Sequence, residues 1–345
     1  MLKNELLYLS ILTILSLSTL IILLLYLIIR KMIVNRKRAK INELKEKYNP
    51  VLFNVLTNGG NFRVLTPNTH FQIIAIQELL SKYSKVTEGK EEKEQLANIA
   101  EYYLSDYFRK QLKSRRWSIR MNMLHQIEDL YMVSFLKDIS IFINKKRQTH
   151  DETIQALRIL ASFNDPGLLE LLTTKFPTLS EYEYRNILIR ANSQQFDQFV
   201  LHFNRSSDQL KRAILEVISI KKEKRYIVFL EDIFSKYDGE IKLRALKAIA
   251  NIGYVQYVDP FLELLYSPKW QERMVSAKLI GQIQEEKGIP RLLELLQDPS
   301  WWVRSQAGQA ISRFIHGKEL LEQVLLTSQD PFAKDMAFEW LNKGE

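Results

Sequence analysis

The stretch DPSWWVRSQAGQAI, residues 298–311, decides the fold of this chain. It follows two related stretches, EIKLRALKAIANIG at 240–253 and QERMVSAKLIGQI at 271–283, and corresponding positions in the three lie 31 residues apart. Each stretch has apolar residues at helical spacing, and a second amphipathic run such as GIPRLLELLQDP follows it. One such helix pair is too small to bury a core alone, so it must stack on a neighbouring pair.

Two apolar series recur every 31 residues over five consecutive repeats. They are Ile187, Ile218, Ile249, Ile280 and Ile311, and Leu172, Phe203, Phe234, Leu265 and Leu296. Each repeat consists of a first and a second helix. Small residues at Ala245, Ser276 and Ala307 let the first helix of one repeat approach the first helix of the next closely. The pattern therefore predicts an all-α protein built as a solenoid of stacked helix pairs.

These stretches, above all DPSWWVRSQAGQAI, resemble HEAT repeats, and more closely the short bacterial HEAT-like units known from phycobilisome lyases. The resemblance covers roughly residues 150–345. It implies an α-solenoid. It does not fix a function, because related proteins scaffold, adapt, bind nucleic acid or assist cofactor attachment on the same frame.

A 24-residue run without charge, Gly or Pro occupies residues 6–29. As a helix it would measure about 36 Å, enough to cross the hydrocarbon core of a bilayer. A cleaved signal peptide is the competing interpretation, but the leader MLKNE is not basic and no small-residue cleavage site follows the run. The run therefore predicts a single N-terminal transmembrane helix.

Basic residues follow this run and indicate its orientation. The chain has a net charge of +9, and residues 1–40 contain seven Lys or Arg and one Glu. Six of these basic residues lie just after the run, and only Lys3 precedes it. Since positive charge stays on the cytoplasmic side, we expect a single-pass protein with its N-terminus outside and its solenoid in the cytoplasm.

Four segments follow from these observations. We expect a transmembrane anchor at 1–30, a basic juxtamembrane helix at 31–49, a helical N-terminal cap at 50–113 that starts afresh at Asn49 and Pro50, and a HEAT-like solenoid at 114–345. The motif TNGGN at 57–61 predicts a break between two helices.

Candidate chemistry is sparse. The chain has no Cys, its five His residues have no paired spacing, and it contains no Gly-rich phosphate loop or nucleophile elbow. The sequence therefore predicts no catalytic residue, no cofactor, no metal and no enzymatic activity.

A series of basic residues recurs at intervals of 31: Lys211, Lys242, Arg273 and Arg304. In a stacked solenoid they would form a row that could bind phosphate, but the preferred interpretation is a structural ladder that bonds to adjoining turns. Trp270 and Trp301 share the same interval and are expected in turn or core packing. Trp302 must point elsewhere and is a candidate partner contact.

A second candidate surface combines basic and aromatic residues in YYLSDYFRKQLKSRRWSIR, residues 102–120. Its central members are Arg115, Arg116, Trp117 and Arg120, which could contact a partner or lipid head groups. An ordinary solvated helix face over buried aromatics is the alternative interpretation.

Three functions remain open at this point. The first is a membrane-tethered scaffold or adaptor that binds a protein partner, such as an integral-membrane enzyme or transporter. The second is a lyase-like enzyme or a chaperone of cofactor attachment. A nucleic-acid binder is disfavoured, because residues 41–345 contain 42 basic and 39 acidic residues and are nearly neutral.

Overall fold

The computed structural model describes residues 2–58, 63, 65–145 and 148–343, with side chains from residue 11 onward. Within these ranges the ordered elements are helices, and no strand occurs. The predicted all-α class is confirmed. The chain divides into two compact units, Met1–Phe163 and Asn164–Glu345. Ser114, where the sequence places the start of the solenoid, lies inside the first unit.

Unit 1 contains six described helices. They are α1 (Leu2–Asn58), α2 (His70–Ser84), α3 (Lys90–Gln111), α4 (Trp117–Asp129), α5 (Leu136–Ile143) and α6 (His150–Ser162).

Unit 2 continues the helix pairs over its described residues. Its helices are α7 (Leu168–Glu170), α8 (Glu181–Leu188), α9 (Ser193–Leu201), α10 (Asp208–Lys221), α11 (Ile227–Lys236), α12 (Gly239–Ile252), α13 (Asp259–Glu263), α14 (Trp270–Ile283), α15 (Ile289–Leu295), α16 (Trp301–Ile311), α17 (Gly317–Thr327) and α18 (Pro331–Asn342). A π-helical turn at Leu171–Lys175 extends α7.

Helix α1 is continuous and contains Pro50 in its interior. The expected fresh start at Asn49 and Pro50 is therefore wrong. Tyr48 and Leu52, on either side of the proline, are buried, and their packing maintains the helix although proline removes one backbone donor. Helix α1 ends at Asn58, and most of the break predicted at 57–61 lies outside the described residues.

The two halves of α1 have opposite environments. Ile41 is the first buried residue, whereas every described side chain from residue 11 to residue 40 is exposed. The stretch Ile11–Thr57 contains a window long and apolar enough to cross a membrane, by length and composition. The exposed apolar half of α1 thus continues without a break into the half that packs in unit 1.

Both 31-residue apolar series form the core of unit 2. All ten side chains are buried, from Leu172 to Ile311, and Phe234 is the most accessible of them at 8%. The close approach of the first helices is tightest between α14 and α16. A Cβ atom added to Gly281 would lie 2.4 Å from the Cα atom of Ala310, so only glycine fits there.

Local signals define where these helices start and stop. Pro260, Pro290 and Pro331 occupy the first turn of α13, α15 and α18, where a missing N–H costs no hydrogen bond. Three first helices end in a left-handed residue at intervals of 31, with φ of 53° at Lys222, 70° at Gly253 and 55° at Gln284. The same turn is therefore repeated, with glycine in one copy only.

Candidate interaction surfaces

Three arginines hold the turn before a first helix in the same way. In each case Nη1 donates to the carbonyl oxygens six and five residues upstream. For Arg273 these are Ser267 and Pro268, at 2.8 and 3.1 Å. For Arg304 they are Asp298 and Pro299, at 2.8 and 3.2 Å.

The third copy is Arg120, in unit 1. Its Nη1 donates to the Ser114 and Arg115 carbonyls at 2.9 and 3.1 Å. The sequence analysis placed Arg120 on an exposed partner surface, but its side chain is mostly buried in this turn. A sequence signal for it exists, because SRRWSIR at 114–120, SPKWQER at 267–273 and DPSWWVR at 298–304 share Trp three residues before Arg.

Two of these arginines also form buried ion pairs. Arg120 Nε and Nη2 contact the carboxylate of Glu152 at 2.7 and 3.0 Å, and Arg273 contacts Asp298 at 2.6 and 2.9 Å. Burial raises the pKa of Glu152. The Arg120 guanidinium and the Thr149 N–H lower it by more than burial raises it, so the pKa of Glu152 lies below its ordinary value. Such bidentate pairs need the planar fork of arginine.

Arg304 has a different second contact. Its guanidinium lies 4.5 Å from the centre of the Phe332 ring, on the next first helix. Within the described residues its buried Nε has no hydrogen-bond partner. The Arg304 side chain therefore joins two neighbouring repeats: its guanidinium lies against the Phe332 ring, and its Nη1 bonds to the carbonyls of Asp298 and Pro299.

The two lysines of the predicted ladder do not hold the turn. Lys211 Nζ lies 5.3 Å from the Tyr237 ring centre and 3.8 Å from Asp208. Lys242 Nζ lies 4.9 Å from the Phe234 ring centre. A lysine ammonium is a compact charge, and here it lies over the face of an aromatic ring. It lacks the planar set of N–H donors with which arginine bonds to two carbonyl oxygens. The two arginines thus bond to turn carbonyls, and the two lysines lie over aromatic rings. The structural role of the four-residue ladder remains a prediction.

The remaining members of the basic and aromatic surface are exposed. Arg115 and Arg116 form no ion pair with any described residue. Trp117 is 45% exposed, and its Nε1 donates to Thr149 Oγ1 at 3.0 Å. The structure therefore keeps Arg115, Arg116 and Trp117 together on the surface and separates Arg120 from them.

An aromatic row lies at the starts of the last three first helices. Trp270 and Trp301 are the first residues of α14 and α16, and Phe332 is the second residue of α18. All three are exposed, at 38%, 47% and 53%, so of the two expected environments for Trp270 and Trp301, turn or core, the core does not apply. Trp302 is more exposed still, and its ring packs edge-on against Trp301 at 4.9 Å.

Titratable groups with shifted pKa values occur on several of the described elements. Burial, followed by Glu128, raises the pKa of Asp129. Burial, followed by Asp197, raises the pKa of Tyr226, which donates to Asp197 at 2.7 Å. Burial lowers the pKa of Lys278, and Arg313 lowers it further. Among the residues that the structure describes, no group of three or more His, Asp or Glu side chains could hold a metal ion.

The 31-residue helix pairs match a known family. Residues 227–312 and 258–342 each match the HEAT repeat model. The carboxy-terminal third of the chain carries HEAT repeats. The arginine turns of Arg273 and Arg304, the Gly281 contact and the aromatic row all belong to these HEAT repeats.

Solved structures give distant likenesses. An engineered protein shares 16% identity over 89% of this chain and 94% of its own, with a TM-score of 0.40. Kap121p bound to Pho4p shares 12% identity over 79% of this chain, with a TM-score of 0.45. The karyopherin Kap121p bound to the extreme C-terminus of Cdc14p shares 14% identity over 84%, with a TM-score of 0.42. This chain spans 37% and 43% of those two karyopherin chains. No significant match to a curated protein was found.

Proposed function

We propose that this chain is a membrane-tethered cytoplasmic scaffold whose HEAT repeats bind a protein partner. The observation that carries the proposal is the exposed apolar half of α1. Fifteen large apolar side chains between residues 11 and 29 are exposed. Covering them with hydrocarbon would stabilise the chain by on the order of 20 kcal/mol or more. No other described segment covers them, since all are at least 46% exposed.

The proposed topology rests on charge. Arg30, Lys31, Arg36, Lys37 and Arg38 follow the apolar stretch, and all are exposed. The side that retains such a cluster is the cytoplasmic side, which places both units in the cytoplasm.

The aromatic row is the proposed partner surface. Trp270, Trp301 and Phe332 recur on neighbouring first helices, which pack about 8–10 Å apart. Together with Trp302 they present large, rigid apolar surface at low entropic cost, the property typical of interface hot spots. An integral-membrane enzyme or transporter is the class of partner that the proposed location favours.

We also propose that the chain itself catalyses nothing. Among the described groups with shifted pKa values, Arg225 and Tyr226 bond to Asp197 beside Lys221, whereas Asp129 and Lys278 lie on other helices. We assign these contacts to packing, hydrogen bonds and ion pairs. Turnover of a substrate by the purified chain, abolished by a single His or carboxylate substitution, would refute this part of the proposal.

Anchoring is tested in cells that express the chain with a C-terminal tag. We expect the protein to stay in the membrane pellet after extraction with alkaline carbonate. Protease outside intact cells should leave both units uncut. Release by carbonate, or cleavage of the units from outside, would overturn the proposed anchoring.

Partner binding is tested by site-specific photocrosslinking. A photoreactive residue at Trp302 should give a discrete crosslinked protein, whereas one at Ile315, which lies beyond the C-terminal end of α16 and is 88% exposed, should not. Trp302→Ala should abolish recovery of that protein without changing the thermal unfolding of the chain. Equal crosslinking from both positions would argue against the aromatic row as the partner surface.

A further inference from the structure

The direction of the unit 1 helices shows which end faces the proposed anchor. Residues 11–40 of α1 emerge at the end of unit 1 where Ile41 first becomes buried. Helix α2 starts beside this point, because Lys40 Nζ lies 5.4 Å from the centre of the Phe71 ring. It ends beside Asn49, which accepts a hydrogen bond from Tyr83 Oη at 2.6 Å. Helix α2 therefore runs parallel to α1, away from the exposed apolar stretch.

Helix α3 runs back toward the same end. The ring of Tyr107, near its C-terminus, lies 5.5 Å from the ring of His70, at the start of α2. The turn at 112–116 then leads into α4, which runs away again, since its Gln126 bonds to Ser81 near the end of α2. The turn between α3 and α4 thus lies at or beyond the level of Lys40.

The turn between α5 and α6 joins this end as well. Trp117 at the start of α4 bonds to Thr149, the N-cap of α6. Leu112 and Phe142 line one open groove of about 800 Å³, together with Lys113, Arg115 and Lys145. We call this end of unit 1 the anchored end, and define it by residues 36–40, 110–117, 143–145 and 148–150.

The anchored end is strongly basic. Its described residues include nine Lys or Arg and no Asp or Glu. These basic residues are Arg36, Lys37, Arg38, Lys40, Lys110, Lys113, Arg115, Arg116 and Lys145, and all are exposed. Among the residues that the structure describes, Arg38 alone of these nine has an acidic side chain within 4 Å, that of Glu78. The opposite end, residues 84–94 and 128–131, contains six acidic residues and three lysines. Unit 1 is therefore polarised in charge along the direction of α1.

The anchored end can reach a bilayer. Lys40 follows Ile29 by eleven positions, which is about 16 Å of helix. The start of α4 lies two helix spacings from α1, or about 16–20 Å to the side. A tilt of about 20°, the average for membrane helices, lowers that side by about 5–7 Å. The backbone of Arg115 and Trp117 then lies about 9–10 Å above the hydrocarbon edge, about 2 Å from a head-group layer about 5–8 Å thick.

We propose that the anchored end rests on the cytoplasmic leaflet and binds the phosphate groups of anionic lipids, with Trp117 at the interface. This inference rests on the proposed anchoring through residues 6–29. Basic clusters are attracted to anionic head groups within a Debye length of about 8 Å at physiological salt. The guanidinium groups of Arg115 and Arg116 are exposed and have no ion-pair partner among the described residues, so they suit phosphate oxygens. An indole ring prefers the head-group region. The lipid charge would then set the tilt of α1.

The absence of Cys from the chain allows a clean test. Full-length Ser118→Cys carries a fluorophore at the anchored end, and Val86→Cys, at the opposite end of unit 1, is the matched control. Both are reconstituted in nanodiscs that contain a fixed fraction of head-group spin-labelled phosphatidylcholine as quencher. The remaining lipid is phosphatidylcholine alone or phosphatidylcholine with 30 mol% phosphatidylglycerol. We expect quenching at residue 118 to rise at least twofold with phosphatidylglycerol and to fall again in 0.5 M NaCl, with no change at residue 86.

The combined substitution Lys113→Gln, Arg115→Gln and Arg116→Gln should remove that increase while leaving thermal unfolding unchanged. Equal quenching at residue 118 with and without phosphatidylglycerol would overturn the inference, and so would an increase that survives the triple substitution. Failure of the wild-type chain to enter discs of either composition is a separate result. It would refute the anchoring on which both proposals depend.

Discussion

The later repeats at 270–342 and the earlier repeats at 181–252 bury the same apolar series with different additional contacts. In the later repeats, Arg273 and Arg304 hold each turn through backbone carbonyls. In the earlier repeats, lysines stand at those positions, and neighbouring first helices are joined by ion pairs on their outer faces. These pairs include Arg185 with Glu216 at 2.8 Å and Arg212 with Glu181 at 3.0 Å.

The difference separates what stacking requires from what single repeats add. The buried apolar series runs through both regions from Leu172 to Ile311, and the Lys242 repeat lies inside the HEAT match at 227–312 although it lacks the arginine turn. The apolar period is therefore sufficient for stacking, and the arginine turn is an additional contact. Substitutions that address only the turn should affect the two regions unequally.

The largest contrast is expected between Arg273→Ala and Lys242→Ala. Removing Arg273 leaves Asp298, whose side chain is 4% exposed, as a buried charge without its partner, a loss of about 3–5 kcal/mol. Lys242→Ala removes one cation–π contact and should cost about 1 kcal/mol or less. Urea unfolding of the detergent-solubilised chain, followed by tryptophan fluorescence, measures both, since four of the five Trp residues lie in unit 2. Equal losses would remove the proposed distinction between the regions.

A second contrast compares the same helix position in neighbouring repeats. Gly281→Ala places a methyl group against the backbone of Ala310 and should cost about 2–3 kcal/mol through overpacking. Position 250, which lies 31 residues earlier, already holds a buried alanine. There, Ala250→Gly should cost about 1 kcal/mol, the loss expected from helix propensity. If Gly281→Ala proved neutral, the two helices would be free to separate at this contact.

Arg304→Ala should have an intermediate effect. It removes two hydrogen bonds to carbonyls and the contact with Phe332, but it strands no buried carboxylate. We expect a loss of about 1–2 kcal/mol in the same unfolding assay. Crosslinking from Trp302 should persist in this variant. Full stability with lost crosslinking would instead assign Arg304 to partner binding.

The smallest effects are expected at the left-handed turns. Lys222→Gly and Gln284→Gly should each stabilise the chain by about 0.5–1 kcal/mol, because glycine adopts a positive φ without strain. The reverse change, Gly253→Ala, should destabilise it by about 1 kcal/mol. Thermal unfolding in detergent would show opposite shifts. Shifts of the same sign would mean that side-chain contacts at these turns outweigh backbone strain.

Much of unit 2 could be predicted from the sequence, because a strict period constrains every repeat at once. The buried Ile and Phe series follow from that period. The exposure of Trp301 does not, since an aromatic residue at a helix start can point to either side of the turn. The local helix-start signal at Asn49 and Pro50 also fails, because packing on both sides of the proline outweighs local propensity.

The anchored end of unit 1 was harder to foresee for a topological reason. Its basic residues come from three separate parts of the sequence, near residues 38, 113 and 145. Only the directions of α2 to α6 bring these parts to one end. The sequence does show the basic stretch around Arg115 and Arg116, and a comparison of SRRWSIR with SPKWQER would have separated Arg120 from it.

The continuity of α1 also has a rotational consequence. A helix without a break between the apolar stretch and the first packed residue transmits torsion. In the proposed anchored arrangement, the number of residues in between would therefore fix which face of unit 1 meets the bilayer. Each residue added between Val34 and Ile41 would rotate unit 1 by about 100° about the helix axis while raising it by only about 1.5 Å. The length of this exposed segment would thus control the rotational orientation of unit 1 more than its height.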